Sequence, residues 1–285
     1  MKYRDLYNQG MEKLSSENIA DAKIDARLLL EYVCKTDRNA LFLKGDMEVA
    51  DKEVKEYLEL IAKRMKHIPL QHLTGEQDFM GLTFLVNENV LIPRQDTECL
   101  VEIVLKHLHD GMRILDMCTG SGCILISLLH YSNDCQGVGV DLSKEALEVA
   151  THNAAVLGSN GIADEMDATF IQSNLFEKVD GKFDIIVSNP PYIKTEVIKT
   201  LMPEVKEYEP MMALDGTKDG LFFYRNIILD AKKHLNRGGQ LFFEIGYDQG
   251  REVSDLMREA GYVDVELAKD LAGLDRVVYG TFLEE

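Results

Sequence analysis

From residue 112 onward, short strand-like apolar runs alternate with longer runs of helical period, and that alternation admits few folds. The strand-like runs are Met112–Asp116, Gly137–Asp141, Ala168–Ile171, Phe183–Val187 and Gln240–Ile245. Helical spacing occupies residues 122–131, 144–157, 220–236 and 248–260 between most of them. Strands separated by helices do not pair as hairpins, so a mostly parallel sheet covered on both faces is predicted. The end of the chain departs from this pattern. Tyr262–Leu267 and Arg276–Phe282 are joined by only a short loop, which predicts an antiparallel last pair.

The N-terminal part reads differently. Leu6, Gly10 and Leu14, then Ala22, Ala26, Leu29, Leu30 and Val33, recur at helical spacing, and Asp51–Lys66 repeats the pattern through Val54, Leu58, Ile61 and Met65. Residues 1–75 are therefore expected to form a small helical domain closed by Pro69 and Gly75. Residues 76–95 read as a β-hairpin linker, with strands at Asp78–Val86 and Val90–Ile92 turning at Asn87–Asn89. Pro93 ends it, and Thr97 is expected to cap a helix running to His109 that opens the third segment, 96–285, with Glu98 supporting its first turn.

Charge and cysteine usage narrow the function. The net charge of −18 over 285 residues opposes a protein that grips duplex nucleic acid through a basic face, so no direct nucleic-acid binding is expected. The local basic cluster Lys63–His67 reads as a solvated helix end whose cations suit the macrodipole. The acidic stretch Glu196–Glu209 reads as an ordinary solvated loop or as a surface for a basic partner. Five cysteines (34, 99, 118, 123 and 135), with no C-x-x-C spacing, favour neither disulfides nor a zinc site. His107 and His109 point to different helix faces and lack further ligands, so no metal is expected. No apolar run would span a bilayer and no signal-like core follows Met1, so a cytoplasmic protein is expected, without membrane attachment.

Two loops carry the chemistry. Cys118-Thr119-Gly120-Ser121-Gly122 lies between the first strand and first helix of the predicted sheet, where backbone N–H groups meet the ligand crevice at the strands' carboxyl ends. Asp141 ends the second strand, about 20 residues on, where a carboxylate can accept from both hydroxyls of a ribose. A nicotinamide dinucleotide loop would need a third glycine where Leu125 stands. The second loop, Asn189-Pro190-Pro191-Tyr192, follows the fourth strand directly. Consecutive prolines remove two donors and stiffen the turn. The Asn189 side-chain oxygen and the Pro190 carbonyl could each accept one N–H of a planar amino group. Tyr192 could pack its ring against that group.

Together these motifs resemble class I methyltransferases that act on planar nitrogen. Leu91–Glu98, Pro69–Gly75, Glu209-Pro210, Ala213-Leu214, Gly220-Leu221 and Gly238–Gly246 extend the likeness over the whole chain to the PrmC/HemK family. That resemblance implies a Rossmann-like, mostly parallel seven-stranded sheet with an antiparallel last strand, preceded by a helical substrate-recognition domain. It implies S-adenosylmethionine as cofactor and the Gly-Gly-Gln glutamine of class I peptide chain release factors as acceptor, with the enzyme a monomer. Asn189 and Pro190 would hold the glutamine amide, with Pro191 and Tyr192 lining its pocket. Cys118, Thr119, Gly120, Ser121 and Gly122 would surround the methionine part of the cofactor. Asp141 would bind its ribose, and Asn174 and Leu175 would lie near the adenine. Cys118 stands where the family usually has glycine, Asn174 where an acidic residue is common, and Gln95 where proline is usual. The same turn could hold the amino group of a flipped adenine in DNA or RNA. A non-catalytic cofactor-binding or ribosome-associated module is the reading from another class.

Overall fold

Strands β3 (Arg113–Met117), β4 (Gln136–Asp141), β5 (Ala168–Gln172), β6 (Phe183–Ser188), β7 (Leu235–Glu244), β8 (Val263–Lys269) and β9 (Asp275–Thr281) hydrogen-bond into one sheet in the order β5-β4-β3-β6-β7-β9-β8. The computed structural model describes residues 1–158 and 166–283, leaving aside the side chains of residues 40–42. Neighbours from β5 through β7 are parallel, and β9 runs antiparallel to both β7 and β8. The sequence reading of a mostly parallel seven-stranded sheet with an antiparallel end therefore holds. Strands β3 and β6 alternate little in exposure because helices cover both faces, as near-continuous apolar runs require. Every residue from Cys123 to Leu129 of the helix Cys123–His130 is buried, which makes it a core element.

The order of strands reverses between β3 and β6, and this is where an open α/β sheet forms a ligand crevice. The apolar contacts fall on two sides of the sheet. Leu115, Met117, Ile186, Leu241 and Phe243 join one cluster, while Ile114, Ile185, Val187 and Phe242 join the other. The alternation follows from the period of two along a strand.

The chain divides into two compact units, Met1–Glu76 with Met202–Tyr208, and Gln77–Leu201 with Glu209–Glu285. In the first, helices Tyr3–Ser16, Ala22–Cys34 and Asp51–Arg64 enclose Leu6, Leu14, Leu29, Leu30 and Ile61. Gly10 is a packing glycine, since any Cβ there would collide with the Tyr57 hydroxyl, which donates to the Ala26 carbonyl at 3.1 Å. Among the described residues no helix is long and apolar enough to cross a membrane.

Four local expectations are corrected. The hairpin turns at Met80-Gly81, not at Asn87–Asn89, between β1 (Glu76–Phe79) and β2 (Leu82–Leu85), and Val90–Ile92 is not a strand. Met80 and Gly81 both take positive φ, +52° and +74°, as a two-residue primed turn requires. Methionine is an unusual residue there, so composition hid the turn. The helix expected from Thr97 is Gln95–His107, with Arg94 at its N-cap, and Thr97 is buried in its first turn. Gln95 thus holds the first helical position, which suits proline because its missing N–H is not needed there. The run 220–236 splits into a helix Phe222–Ala231 and the start of β7 at Leu235.

The fourth correction concerns the basic cluster. Arg64 is buried rather than solvated. Its Nε donates to Asp25 at 2.7 Å and its Nη1 to Glu204 at 3.1 Å, while His67 Nδ1 lies 2.9 Å from the same Glu204 oxygen. Burial pushes the Asp25 carboxyl above its ordinary value, and Arg64 offsets this only in part. For Glu204 burial also acts upward, but the His67 and Arg64 bonds prevail and its value is lowered. Removing the cation would leave a buried carboxylate uncompensated. Arg64→Ala is therefore expected to cost about 3–5 kcal/mol of unfolding free energy, read by urea denaturation. The double variant Arg64→Met, Asp25→Leu should recover most of that loss.

Candidate active site

The strands β3, β4 and β6 end level with one another, Met117 lying opposite Val140 on one side and Ser188 on the other. Ser188 is fully buried, and its hydroxyl donates to the Met117 carbonyl at 2.6 Å. The loops leaving β3 and β6 therefore start side by side. A cavity of about 490 Å³ opens above them. Cys118, Thr119, Gly120 and Ser121 line it from the first loop, and Asp141 from the end of β4. Asn174 and Leu175 line it after β5, and Asn189 and Pro191 after β6.

Asp141 is held by backbone. Its Oδ2 accepts from Gly120 N–H and its Oδ1 from Ser143 N–H, each at 2.9 Å. Burial raises its carboxyl above the ordinary value, and those N–H groups work against the shift. Each oxygen keeps acceptor capacity toward the cavity. Asn174 donates its Nδ2 to Glu177 Oε1 at 2.7 Å, so its Oδ1 remains an acceptor. Cys118 adopts φ of +64°. The left-handed backbone associated with glycine is thus present although the residue is cysteine, at a cost of about 1–2 kcal/mol. Gly122 does not line the cavity. Its φ is +80°, and a Cβ would come within 2.9 Å of Ile126 and 3.1 Å of Ala150, so helix packing is what requires glycine there.

The Asn189-Pro190-Pro191-Tyr192 turn is buttressed from outside. Ile193 N–H donates to Leu214 O at 3.1 Å and Gly216 N–H to Ile193 O at 2.8 Å. Gln249 Nε2 donates to the Tyr192 and Gly220 carbonyls, both at 3.2 Å. Gly220 takes φ of +75°, and a side chain there would collide with the Tyr192 carbonyl. The motifs around Leu214 and Gly220 serve the turn in this way. Asn189 Nδ2 donates to Thr97 Oγ1 at 3.3 Å. Pro190 and Tyr192 are not part of the cavity wall. The Tyr192 ring packs on the core, with its hydroxyl 3.4 Å from Glu244 Oε1.

Several contributing residues escaped sequence reasoning. Thr97 lines the cavity, although its place after Pro93 suggested only a helix cap. Asn153 is buried on an otherwise apolar helix face. It donates to Ser121 O at 2.9 Å and exchanges bonds with the Leu85 backbone at 2.8 and 3.1 Å, tying the hairpin to the cofactor loop. A lone asparagine in that face was the available signal. Glu209 is buried with both oxygens on Arg94 Nη2, at 2.6 and 2.7 Å, so it is not a solvated loop residue. His107 packs its ring edge-on to Phe242 and Tyr279. Asp116 is wholly buried. Thr119 donates to its Oδ2 at 2.6 Å, its Oδ1 has no partner, and burial pushes its carboxyl up to about 7.

A model of the PrmC N-terminal domain matches residues 5–75, and a model of the methyltransferase small domain matches residues 94–205. Release factor glutamine methyltransferases of Clostridium acetobutylicum and Clostridium botulinum are 40% and 42% identical to the chain over 283 residues, covering 98% of it and 98% of each relative. The chain belongs to the PrmC/HemK family. A methyltransferase from Pyrococcus furiosus has the same fold, with a TM-score of 0.52 at 18% identity, covering 72% of this chain and 91% of that one.

The donor set suits the S-adenosylmethionine of a class I PrmC/HemK enzyme. Asp141 offers acceptors for a diol, Asn174 Oδ1 one for an exocyclic amine, and Leu142 and Leu175 apolar walls. Asp116, beneath the loop, makes a pH-dependent contribution to stability. Its folded value lies above the ordinary 3.8, so it favours the folded state at low pH, and that advantage is lost as pH rises from about 4 to about 7. Asp116→Asn keeps an acceptor for Thr119 and removes the titration. Urea unfolding at about pH 5 and about pH 8 is expected to show the variant gaining stability over the parent as pH rises.

Proposed function

We propose that this chain transfers a methyl group from S-adenosylmethionine to the side-chain amide nitrogen of the Gly-Gly-Gln glutamine in class I peptide chain release factors, acting as a cytoplasmic monomer. The observation that carries the reading is the orientation of Asn189. Its amide nitrogen is committed to Thr97, which leaves its oxygen as an acceptor at the wall it shares with Cys118 and Asp141.

An amide nitrogen is a weak nucleophile because its lone pair is delocalised into the carbonyl. Its two N–H groups remain donors. The Asn189 oxygen would take one and the Pro190 carbonyl the other, fixing the nitrogen and favouring pyramidal character as the new bond forms. When bound, the cofactor supplies an electrophilic methyl group on a sulfonium. Asp141 would hold the cofactor's ribose, and the Cys118–Ser121 backbone would face its amino-acid end. The methylated nitrogen is strongly acidic and loses its proton to water, so the chain needs no strong base. Catalysis is then positioning together with hydrogen bonds that strengthen in the transition state. Half-exposed Met211 and Met212 give the cavity an apolar lip that suits a glycine-rich backbone. The adenine reading fares worse, since the net charge of −18 works against a phosphate backbone.

Incubation with labelled S-adenosylmethionine and a release factor is expected to label the factor, and changing its Gly-Gly-Gln glutamine should abolish the label. Label that persists, or that appears on DNA or RNA instead, would sink the reading. Asn189→Ala is expected to lower kcat by about 10²–10³-fold, the size of losing one such donor or acceptor. Its affinity for S-adenosylmethionine, measured by calorimetry, should stay close to the parent's. Asp141→Ala should show the reverse balance, with cofactor affinity lost first.

A further inference from the structure

We propose that Arg94 is a cofactor-binding residue whose guanidinium takes the carboxylate at the methionine end of S-adenosylmethionine. The inference rests on the cofactor assigned above and on no particular methyl acceptor. Arg94 lines the cavity, and among the described residues of that wall it is the sole lysine, arginine or histidine. Two carboxylates, those of Asp141 and Asp215, line the same wall. A ligand carboxylate entering there meets two groups of its own sign and leaves water as it does so. It therefore needs a cation or several N–H donors within reach.

The glycine loop meets that need only in part. Thr119 N–H donates to the Val140 carbonyl, Gly120 N–H to Asp141 Oδ2 and Gly122 N–H to the Thr119 carbonyl, each at 2.9 Å. Three N–H groups of the loop are thus engaged within the protein and are closed to a ligand.

Arg94, in contrast, is held in place with donors to spare. It is the N-cap residue of the helix Gln95–His107, and its carbonyl accepts from Thr97 N–H at 3.1 Å. Its Nη2 donates to both oxygens of the buried Glu209, while its Nε and Nη1 have no partner among the described residues. The side chain remains 40% exposed against 1% for Glu209. A guanidinium carries five N–H donors in a rigid fork, and Glu209 engages only one of its nitrogens. The two buried arginines of this chain show what such a fork accommodates. Arg64 meets Asp25 and Glu204, and Arg276 meets Asp96 and Asp270. Each holds two carboxylates. Arg94 holds one, and it lines the cavity of a ligand that carries another. The Glu209 bond restricts the arginine before the ligand arrives, so less side-chain freedom is lost on binding.

The test compares S-adenosylhomocysteine with its carboxamide, in which the carboxylate is replaced by a neutral primary amide of the same shape. Both are titrated by calorimetry. The parent is expected to bind the acid about 10–100-fold more tightly than the amide, the size of a charge-assisted hydrogen bond. The double variant Arg94→Met, Glu209→Gln leaves no buried carboxylate unpaired. It should bind the acid about 10–100-fold more weakly than the parent and the amide almost equally, so that the difference between the two ligands disappears. A purely structural role would weaken both ligands alike and keep their ratio, and that result overturns the proposal. Equal affinity of the parent for acid and amide overturns it too, and requires no variant to fold. No methyl acceptor is present in either titration, so the outcome is independent of whether release factors are methylated.

Discussion

Between β3 and β6 the sheet changes direction, and one buried hydroxyl holds the two strands together as their loops diverge. Ser188 donates to the Met117 carbonyl at 2.6 Å, at the last paired residues of the two strands. Removing the hydroxyl would lose one buried hydrogen bond, worth about 0.5–1.5 kcal/mol. The loop with Cys118 begins one residue beyond Met117, and the turn with Asn189 begins one residue beyond Ser188. The two loops that line the cavity are thus set against each other by the sheet, and the separation of their starts is no more adjustable than the spacing of two paired strands.

Several charges around this centre are paired, with one partner of each pair buried. Glu209 closes on Arg94, and Arg276 lies between Asp96 and Asp270. In the helical unit Arg64 joins Asp25 to Glu204. Such pairs add less net stability than their distances suggest, because two desolvation costs offset the attraction. What they supply is geometry. A carboxylate that must meet one particular guanidinium fixes the register of the segment that carries it. The acidic composition thus serves two ends, a surface unsuited to phosphate backbones and a set of internal clasps.

Much of this was legible in the sequence, and the boundary between what was and was not is physical. Strands β3 and β6 were readable because an apolar run buried on two faces has few other uses. That Asn189 and Asp141 would face one cavity was readable because both sit at strand ends, whereas the Tyr192 ring turns into the core instead. The hairpin was misplaced because Met80 supplies a positive φ that glycine or asparagine usually advertises. Arg64 was misread because a basic cluster such as Lys63–His67 looks solvated, and its partners lie 39 and 140 residues away in the chain. Thr97 was out of reach for a different reason. It meets Asn189 through a contact between residues 92 positions apart, and no spacing rule records that.

The stretch between Ile193 and Gly216 has an anatomy of its own. It is closed at its base by a reciprocal pair of backbone bonds, Ile193 to Leu214 and Gly216 to Ile193, while Gln249 and Gly220 brace the turn next to it. Short of the cavity-lining residues Pro210–Ala213, the chain from 194 to 208, including the Met202–Tyr208 piece that belongs to the helical unit, is a detour from the viewpoint of the reacting centre. Loop-closure entropy grows slowly, about 0.6 kcal/mol for each doubling of length. The neck therefore makes the detour an exchangeable cassette. Its length and side chains can be rewritten to suit a different acceptor protein while the Asn189–Tyr192 turn stays where the sheet put it.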